Sequence, residues 1–265
     1  MAVNQAKSTN SCLFCGSSGA GILSKEHVIP QWLLRHLDLP VDDQLFQGVG
    51  HSEGDVLLKS PRIHSTYNFV QGHVCKDCNT GWLSSLEASA KPLLMPLINQ
   101  ERLIESLSAA EIEVVVKWTV KTAYIHGFTS PLNQPPQVSH LQVLYRDKGA
   151  PLPGVAVFGM QSDFNKPSGY FITRQWPYFA KSEVKPSREV TGQSYKIGLQ
   201  FRYLYLLTAF WPDPNWLLML SRGTHIPLFS SLQCSWPEYQ PVPEVGDGPV
   251  DRLALFCNSL AVLNL

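Results

Sequence analysis

Two cysteine turns govern how this chain is read: Cys12-Leu13-Phe14-Cys15-Gly16 and Cys75-Lys76-Asp77-Cys78-Asn79, with 59 residues between Cys15 and Cys75. A zinc ion takes four ligands in a tetrahedron, and two Cys-x-x-Cys turns supply two thiolates each. Gly16 permits the tight turn that aims both sulfurs of the first pair inward, and the second pair opens what reads as a helix over residues 79–90. The separation is too long for a simple zinc finger. It suits a structural zinc that clamps the two ends of an inserted functional segment. Two alternatives stay open. A redox dithiol would suit one pair, although two separate pairs without a thioredoxin-like βαβ pattern argue against it. Buried, unliganded cysteines are the other. Cys234 and Cys257 stand alone and read as small core residues.

Inside the bracketed segment lies Ser24-Lys25-Glu26-His27-Val28-Ile29-Pro30-Gln31-Trp32, with His27 twelve residues after Cys15. Side chains alternate along extended backbone, so Glu26 and His27 point to opposite faces. A following loop can still bring both towards one phosphate, the histidine as base and the carboxylate as metal ligand. A solvated Glu-His pair would look the same. Its place inside a clamped segment is what gives the pair weight.

Composition sets the outer bounds. With 265 residues and 29.6 kDa the chain can form one large domain or two modest ones, with a core that folds without disulfides or metals. Apolar residues make up 44% and charged residues 16%, which excludes wholesale disorder. The longest nearly unbroken apolar run, residues 203–211, is about half of what a membrane-spanning helix requires. The polar N-terminal residues lack the apolar segment of a signal peptide. The expectation is a soluble, cytoplasmic protein with no membrane partner, in which cysteine pairs are metal or redox sites rather than disulfides. Lys and Arg total 21, equal to Asp and Glu. That balance disfavours a non-specific nucleic-acid binder, which needs clustered cations. A nuclease needs only a locally positive groove.

Four regions follow. Residues 1–11 read as a flexible leader, and residues 12–96 as a zinc-binding module holding five of the eight histidines. Residues 97–130 read as a helical connector and residues 131–265 as a β-rich C-terminal domain of open role. The connector helix, over residues 108–126, starts at a capping box in which Ser108 precedes Glu111 by three positions. Ile112, Val115, Val116, Val120 and Ala123 recur behind it at helical spacing. Strand-like patterns cover residues 138–146, 155–160, 169–173 and 196–210. The expected fold class is α+β.

The segments CLFCG, EHVIPQWL and VCKDCNTGW together resemble the HNH (ββα-metal, His-Me finger) endonucleases that carry a four-cysteine zinc. More narrowly, they are similar to a group of bacterial HNH-like proteins with the pattern CxFCG…EHVxPxWL…VCxxCNxGW. The resemblance covers roughly residues 12–90, and KWTVKTAYI and SWPEY further on are also similar. It implies a zinc-clamped ββα module in which a β-hairpin and a helix grip one divalent cation, Mg²⁺ or another. His27 matches the general base and Glu26 the acidic metal ligand before it, usually Asp in the family. Asn79 matches the second metal ligand. Asn68 matches the middle asparagine that steadies the hairpin, but lies seven residues before Cys75, a longer spacing than the family's.

There is a second departure. Many active members carry Lys or His one turn after the ligand, where this chain has Trp82 and Leu83. Those two, with Leu86, read as the buried face of the helix. Glu87 reads as solvated rather than as a further ligand. The implied function is metal-dependent hydrolysis of DNA. The zinc would be structural, because a closed four-thiolate shell leaves no position for water. The alternative is a catalytically silent, zinc-stabilised module that binds nucleic acid or a protein, as in bacterial defence.

Other candidates are weaker. His51, His64 and His73 read as surface histidines before groove-lining ones. Lys25, Arg35, Lys59, Arg62 and Lys76 are the nearby cations that could hold phosphates. Tyr203, Tyr205, Phe210 and Trp211 could stack bases. At strand spacing beside Leu204 and Leu206, core packing is the stronger reading.

Overall fold

The computed structural model describes residues 10–39, 44–45, 49–50, 56–57, 64–129, 136–162, 171–176, 180–181, 194–212, 216–219, 225–231, 234–235 and 261–264. His51, Lys59, Arg62, Cys257, SWPEY beyond Ser235 and nearly all of the expected leader lie outside them. So do the side chains of His64 and Cys234. The fold is α+β.

In the N-terminal part, strand β1 (Leu23–His27) is followed by the short helix α1 (Gln31–His36). Four two-residue strands come next: β2 (Gln44–Leu45), β3 (Val49–Gly50), β4 (Val56–Leu57) and β5 (His64–Ser65). Strand β6 (Val70–Cys75) returns antiparallel to β1. It runs directly into helix α2 (Lys76–Cys78), a π-helical turn over Asn79–Leu83, and α3 (Ser84–Ile98). The helical stretch therefore begins three residues before the expected start. It bends at Gly81, whose φ of −91° and ψ of −109° are not helical. Kinks of this kind have local causes, and a π-bulge is one of them.

Helix α4 (Ala109–Thr129) opens as its sequence predicts. The Ser108 N–H donates to Oε2 of Glu111 at 2.8 Å and the Glu111 N–H donates back to Oγ of Ser108 at 3.4 Å, a reciprocal capping box. Every residue from Trp118 to Gly127 is buried. A helix that is buried all round is packed on more than one side. This one touches α3 and β6 of the N-terminal part and also the sheet that follows.

That sheet is antiparallel, in the order β13-β7-β11-β10-β8, from β7 (Val155–Gln161), β8 (Phe171–Trp176), β10 (Tyr195–Phe201), β11 (Leu204–Phe210) and β13 (Ile226–Ser230). The expected strand over residues 196–210 is a hairpin, β10 with β11, turned at Arg202, which adopts a φ of +48°. The Arg202 guanidinium donates to Oδ1 of Asn99 at 3.1 Å and lies 3.5 Å from Asp38, tying the hairpin tip to α3 and α1. Tyr205, Phe210 and Trp211 are buried, as core packing requires. A second sheet, β14-β12-β15-β9, uses β9 (Ala180–Lys181), β12 (Trp216–Met219), β14 (Cys234–Ser235) and β15 (Ala261–Asn264). One hydrophobic core extends from Cys12 to Phe210. No helix among the described residues is long and apolar enough to cross a membrane.

One expected strand is overturned. Residues 138–146 form not a strand but helix α5 (Val138–Arg146). His140, Leu141 and Leu144 are its buried residues, a helical spacing, while Val138 is 41% exposed. The β-branched residues that suggested a strand are not the ones that pack, and the 3.6-residue period of the buried positions decides the outcome.

Helix α5 also sets His140 in the core, with Nδ1 2.9 Å from the Tyr195 hydroxyl and its ring 4.6 Å from that of Phe210. Burial lowers the pKa of His140, and of His126 on α4, from 6.5 to about 4. Between those values the unfolded chain takes up protons that the native chain refuses. Stability is thus complete above pH 6.5 and falls as the pH drops towards 4. The urea midpoint should follow that slope, and at equal zinc content it should flatten in His140→Asn. The same slope in both proteins would contradict the burial of a neutral His140.

Candidate functional site

The first cysteine turn is built by backbone hydrogen bonds. Gly16 N–H donates to the Cys12 carbonyl at 3.0 Å, Cys12 N–H donates to the Ser17 carbonyl at 2.8 Å, and Gly16 sits at a φ of +75°. That left-handed conformation suits glycine. Leu13 N–H donates to the His73 carbonyl at 2.9 Å, which lays the turn along β6. The second turn grows from the end of β6: Cys75 is its last residue and also caps α2, its sulfur accepting from Cys78 N–H at 3.4 Å.

These two turns place the sulfurs of Cys12, Cys15, Cys75 and Cys78 within 4.8 Å of one another, a group that could hold a metal ion such as zinc. A tetrahedral shell with Zn–S bonds of about 2.3 Å needs sulfurs roughly 3.8 Å apart. The Cys15 and Cys75 sulfurs, at 3.6 Å, are already there. Cys75 N–H donates to the Cys12 sulfur at 3.3 Å, the kind of contact that orients a thiolate ligand. Phe14 and Trp82 meet edge to face at 5.2 Å, and Tyr145 of α5 lies against Trp82 at 5.9 Å, so aromatic rings border the cluster.

The thiols differ in their readiness to ionise. Burial opposes the Cys15 thiolate, but hydrogen bonds from Ser17 and the other cysteines outweigh it and bring the pKa down to about 7. Burial drives the Cys78 thiol far above its ordinary value, with Cys75 and the neighbouring charges adding to the rise, and burial raises Cys75 as well. One negative charge is easily placed among the four sulfurs and further ones are opposed. A divalent cation removes that opposition.

Strands β1 and β6 meet in a register that slips between Ser24 and Glu26: Ser24 faces Val74, but Glu26 faces Gln71, so Gly72 and His73 share the span opposite Lys25. A bulge of this kind re-aims side chains. Glu26 turns inward and is 8% exposed, whereas His27 is half-buried. The Gln31 side-chain amide lies 3.0 Å from Nε2 of His27. With that N–H donating, Nε2 carries the lone pair and the neutral ring's proton sits on Nδ1. Asn79, at the start of the π-helical turn, donates its amide to Oγ of Ser24 at 3.1 Å and to the carbonyl of Lys25 at 3.1 Å. The helix is thereby bonded to the peptide immediately before Glu26.

Behind the strand lies an ion cluster with no counterpart in the sequence reading. Lys121 of α4, with no exposed side-chain surface, has Nζ 3.3 Å from Oε1 of Glu26 and 2.5 Å from Oε1 of Glu87. Trp32 of α1 donates its indole N–H to the other Glu87 oxygen at 2.7 Å. Burial pushes the Glu26 carboxyl up; Lys121 opposes the rise and Glu87 adds to it. Burial works against the Lys121 charge, but Glu87 and Glu26 overcome it and raise the ammonium above its ordinary value.

The structure thus brings the four cysteines together and sets Asn79 beside Ser24 and Lys25. It joins Glu26 to a cation that belongs to the chain. Asn68 is exposed, in a 3-10 turn over Thr66–Asn68 just before Phe69, whose carbonyl accepts the Val28 N–H at 3.0 Å. Leu83 is buried, with Trp82 and Leu86 packed against the core. Lys25, Arg35 and Lys76 are exposed. Outside the four cysteines, no three His, Asp, Glu or Cys side chains among the described residues converge as a metal site. Sequence reasoning missed Lys121, Glu87 as its partner, Trp32 and Gln31. One signal was present: Val114, Trp118, Lys121 and Ile125 fall on one helical stripe, where a lone lysine interrupts apolar residues. Comparisons with protein-family models, curated proteins and solved structures yield no match.

Removing one partner of a buried charge cluster costs far more than the cluster contributes, because the remaining charges lose their compensation. Lys121→Met leaves two carboxylates facing each other and should lower unfolding stability by about 3–5 kcal/mol. Adding Glu87→Gln should recover a large part of the loss. Urea titration of the three proteins checks this, and a Lys121→Met protein as stable as wild type would contradict the cluster.

Proposed function

We propose that the chain is a metal-dependent endonuclease of the HNH type that hydrolyses phosphodiester bonds in DNA. The observation that carries this reading is the pair of hydrogen bonds from Asn79 to Ser24 and Lys25. They bond the start of the helical stretch to β1, which pairs antiparallel with β6, and with the four-cysteine cluster this supports reading strand, strand and helix as one unit of the ββα kind. Cys12, Cys15, Cys75 and Cys78 would hold a structural zinc.

The chemistry divides among few groups. His27, through the lone pair on Nε2, takes a proton from a water molecule after Gln31 gives way to that water. The water oxygen then bonds to phosphorus, the bond from phosphorus to the leaving sugar oxygen breaks, that oxygen takes a proton from solvent water, and His27 releases its own proton to solvent. Glu26 and Asn79 supply oxygen ligands for Mg²⁺ or a similar divalent cation. Asn79 uses its amide nitrogen on Ser24 and Lys25, and among the described residues no protein group donates to its Oδ1. Such a cation, when bound, neutralises charge that develops on the phosphate and the leaving oxygen. Asn68 would steady the far end of the hairpin. Lys25 and Lys76, both exposed, flank the Asn79 contact and suit the phosphates of a DNA strand.

A second reading has one observation in its favour. Glu26 already has a cationic partner in Lys121, as suits a zinc-stabilised module that binds nucleic acid or a protein without cutting. Plasmid and single-stranded DNA, incubated with Mg²⁺ or Mn²⁺ and an EDTA control, separate the two. Nicking by wild type that is lost in a zinc-replete His27→Ala supports the nuclease. A wild type with its zinc in place that binds DNA and leaves it uncut supports the binding module.

A further inference from the structure

The Lys121 cluster is expensive and its position is specific. Three ionisable side chains from β1, α3 and α4 meet where apolar side chains of similar size would pack at least as well. Lys121 Nζ engages only Oε1 of Glu26, at 3.3 Å, and Oε2 has no protein donor among the described residues. Glu87, fixed through its other oxygen by Trp32 at 2.7 Å, keeps the ammonium from swinging away. One oxygen of Glu26 is therefore gripped from inside, while the other remains free on a residue adjacent to His27.

We propose that Lys121 is the positioning residue for Glu26, an internal ammonium that fixes the carboxylate so that its free oxygen, with Oδ1 of Asn79, can ligate a divalent cation. The inference rests on the reading of Glu26 and Asn79 as cation ligands. Carboxylate ligands are themselves held by hydrogen bonds, and losing an outer partner of this kind typically weakens metal binding about 10–100-fold. Glu87 acts one step further out. It offsets the charge of Lys121, so the cluster keeps one net negative charge when all three groups are ionised.

The test needs no turnover. Mn²⁺ binding to the zinc-loaded chain is titrated by electron paramagnetic resonance, with Glu26→Gln as baseline. Wild type should bind Mn²⁺ and Glu26→Gln should not. Lys121→Arg, which keeps a buried cation, should stay close to wild type, and Lys121→Met should bind roughly 10–100-fold more weakly. Because Lys121→Met loses stability, Lys121→Met/Glu87→Gln is measured beside it. It retains the cluster's single negative charge yet lacks the ammonium, and it should show the same weakening. A double variant with wild-type Mn²⁺ affinity would overturn the positioning role and leave the cation reading intact. A zinc-replete wild type that binds no Mn²⁺ would overturn both. In cleavage assays, a purely structural role for Lys121 would lower the active fraction and leave the half-saturating Mn²⁺ concentration unchanged, whereas the positioning role raises that concentration.

Discussion

The four-sulfur cluster is the constraint on which the N-terminal architecture depends. Cys75 alone ends strand β6, caps helix α2 and contributes a sulfur. Strand, turn and helix therefore cannot shift independently of one another. The Cys12–Cys15 turn is held on the same strand by the Leu13 to His73 hydrogen bond. The long connection between the two pairs is thus closed at its base, and the slow growth of closure entropy with loop length makes its size tolerable. Within that frame His27 and Asn79, distant in sequence, are set on adjoining elements.

A second constraint acts from behind. Helix α4 sends Lys121 through the core to β1 and α3, so the strand bearing His27 is fixed by charge on its inner face and by Asn79 at its edge. The two devices differ in kind. The hydrogen bonds of Asn79 are local and modest. The ion cluster is buried and intolerant of losing a member. The same helix packs on the antiparallel sheet, so α4 links the C-terminal part of the chain to Glu26.

Several features were legible in the sequence because short-range chemistry fixes them. The cysteine spacing announces its cluster, Ser108 and Glu111 announce the start of α4, and alternation along β1 separates Glu26 from His27. Where reading failed, the deciding contacts were long-range. Residues 138–146 carry strand-like composition, yet they pack by His140, Leu141 and Leu144 and form a helix. The bulge opposite Lys25 depends on how β6 pairs, which no local signal marks. Lys121 lies 95 positions from Glu26, and only an interruption in an apolar stripe betrays it. Glu87 looked solvated because its partners, Lys121 and Trp32, come from other elements.

The N-terminal clamp stands or falls on a zinc ion held by all four sulfurs. X-ray absorption at the zinc K-edge of the purified 265-residue chain addresses this directly. The predicted result is one zinc per chain with four sulfur neighbours at about 2.3 Å and no nitrogen or oxygen in the shell. A chain that folds with no zinc, or with a mixed shell leaving one of Cys12, Cys15, Cys75 or Cys78 unbound, would contradict the clamp and the arrangement of His27, Glu26 and Asn79 built upon it.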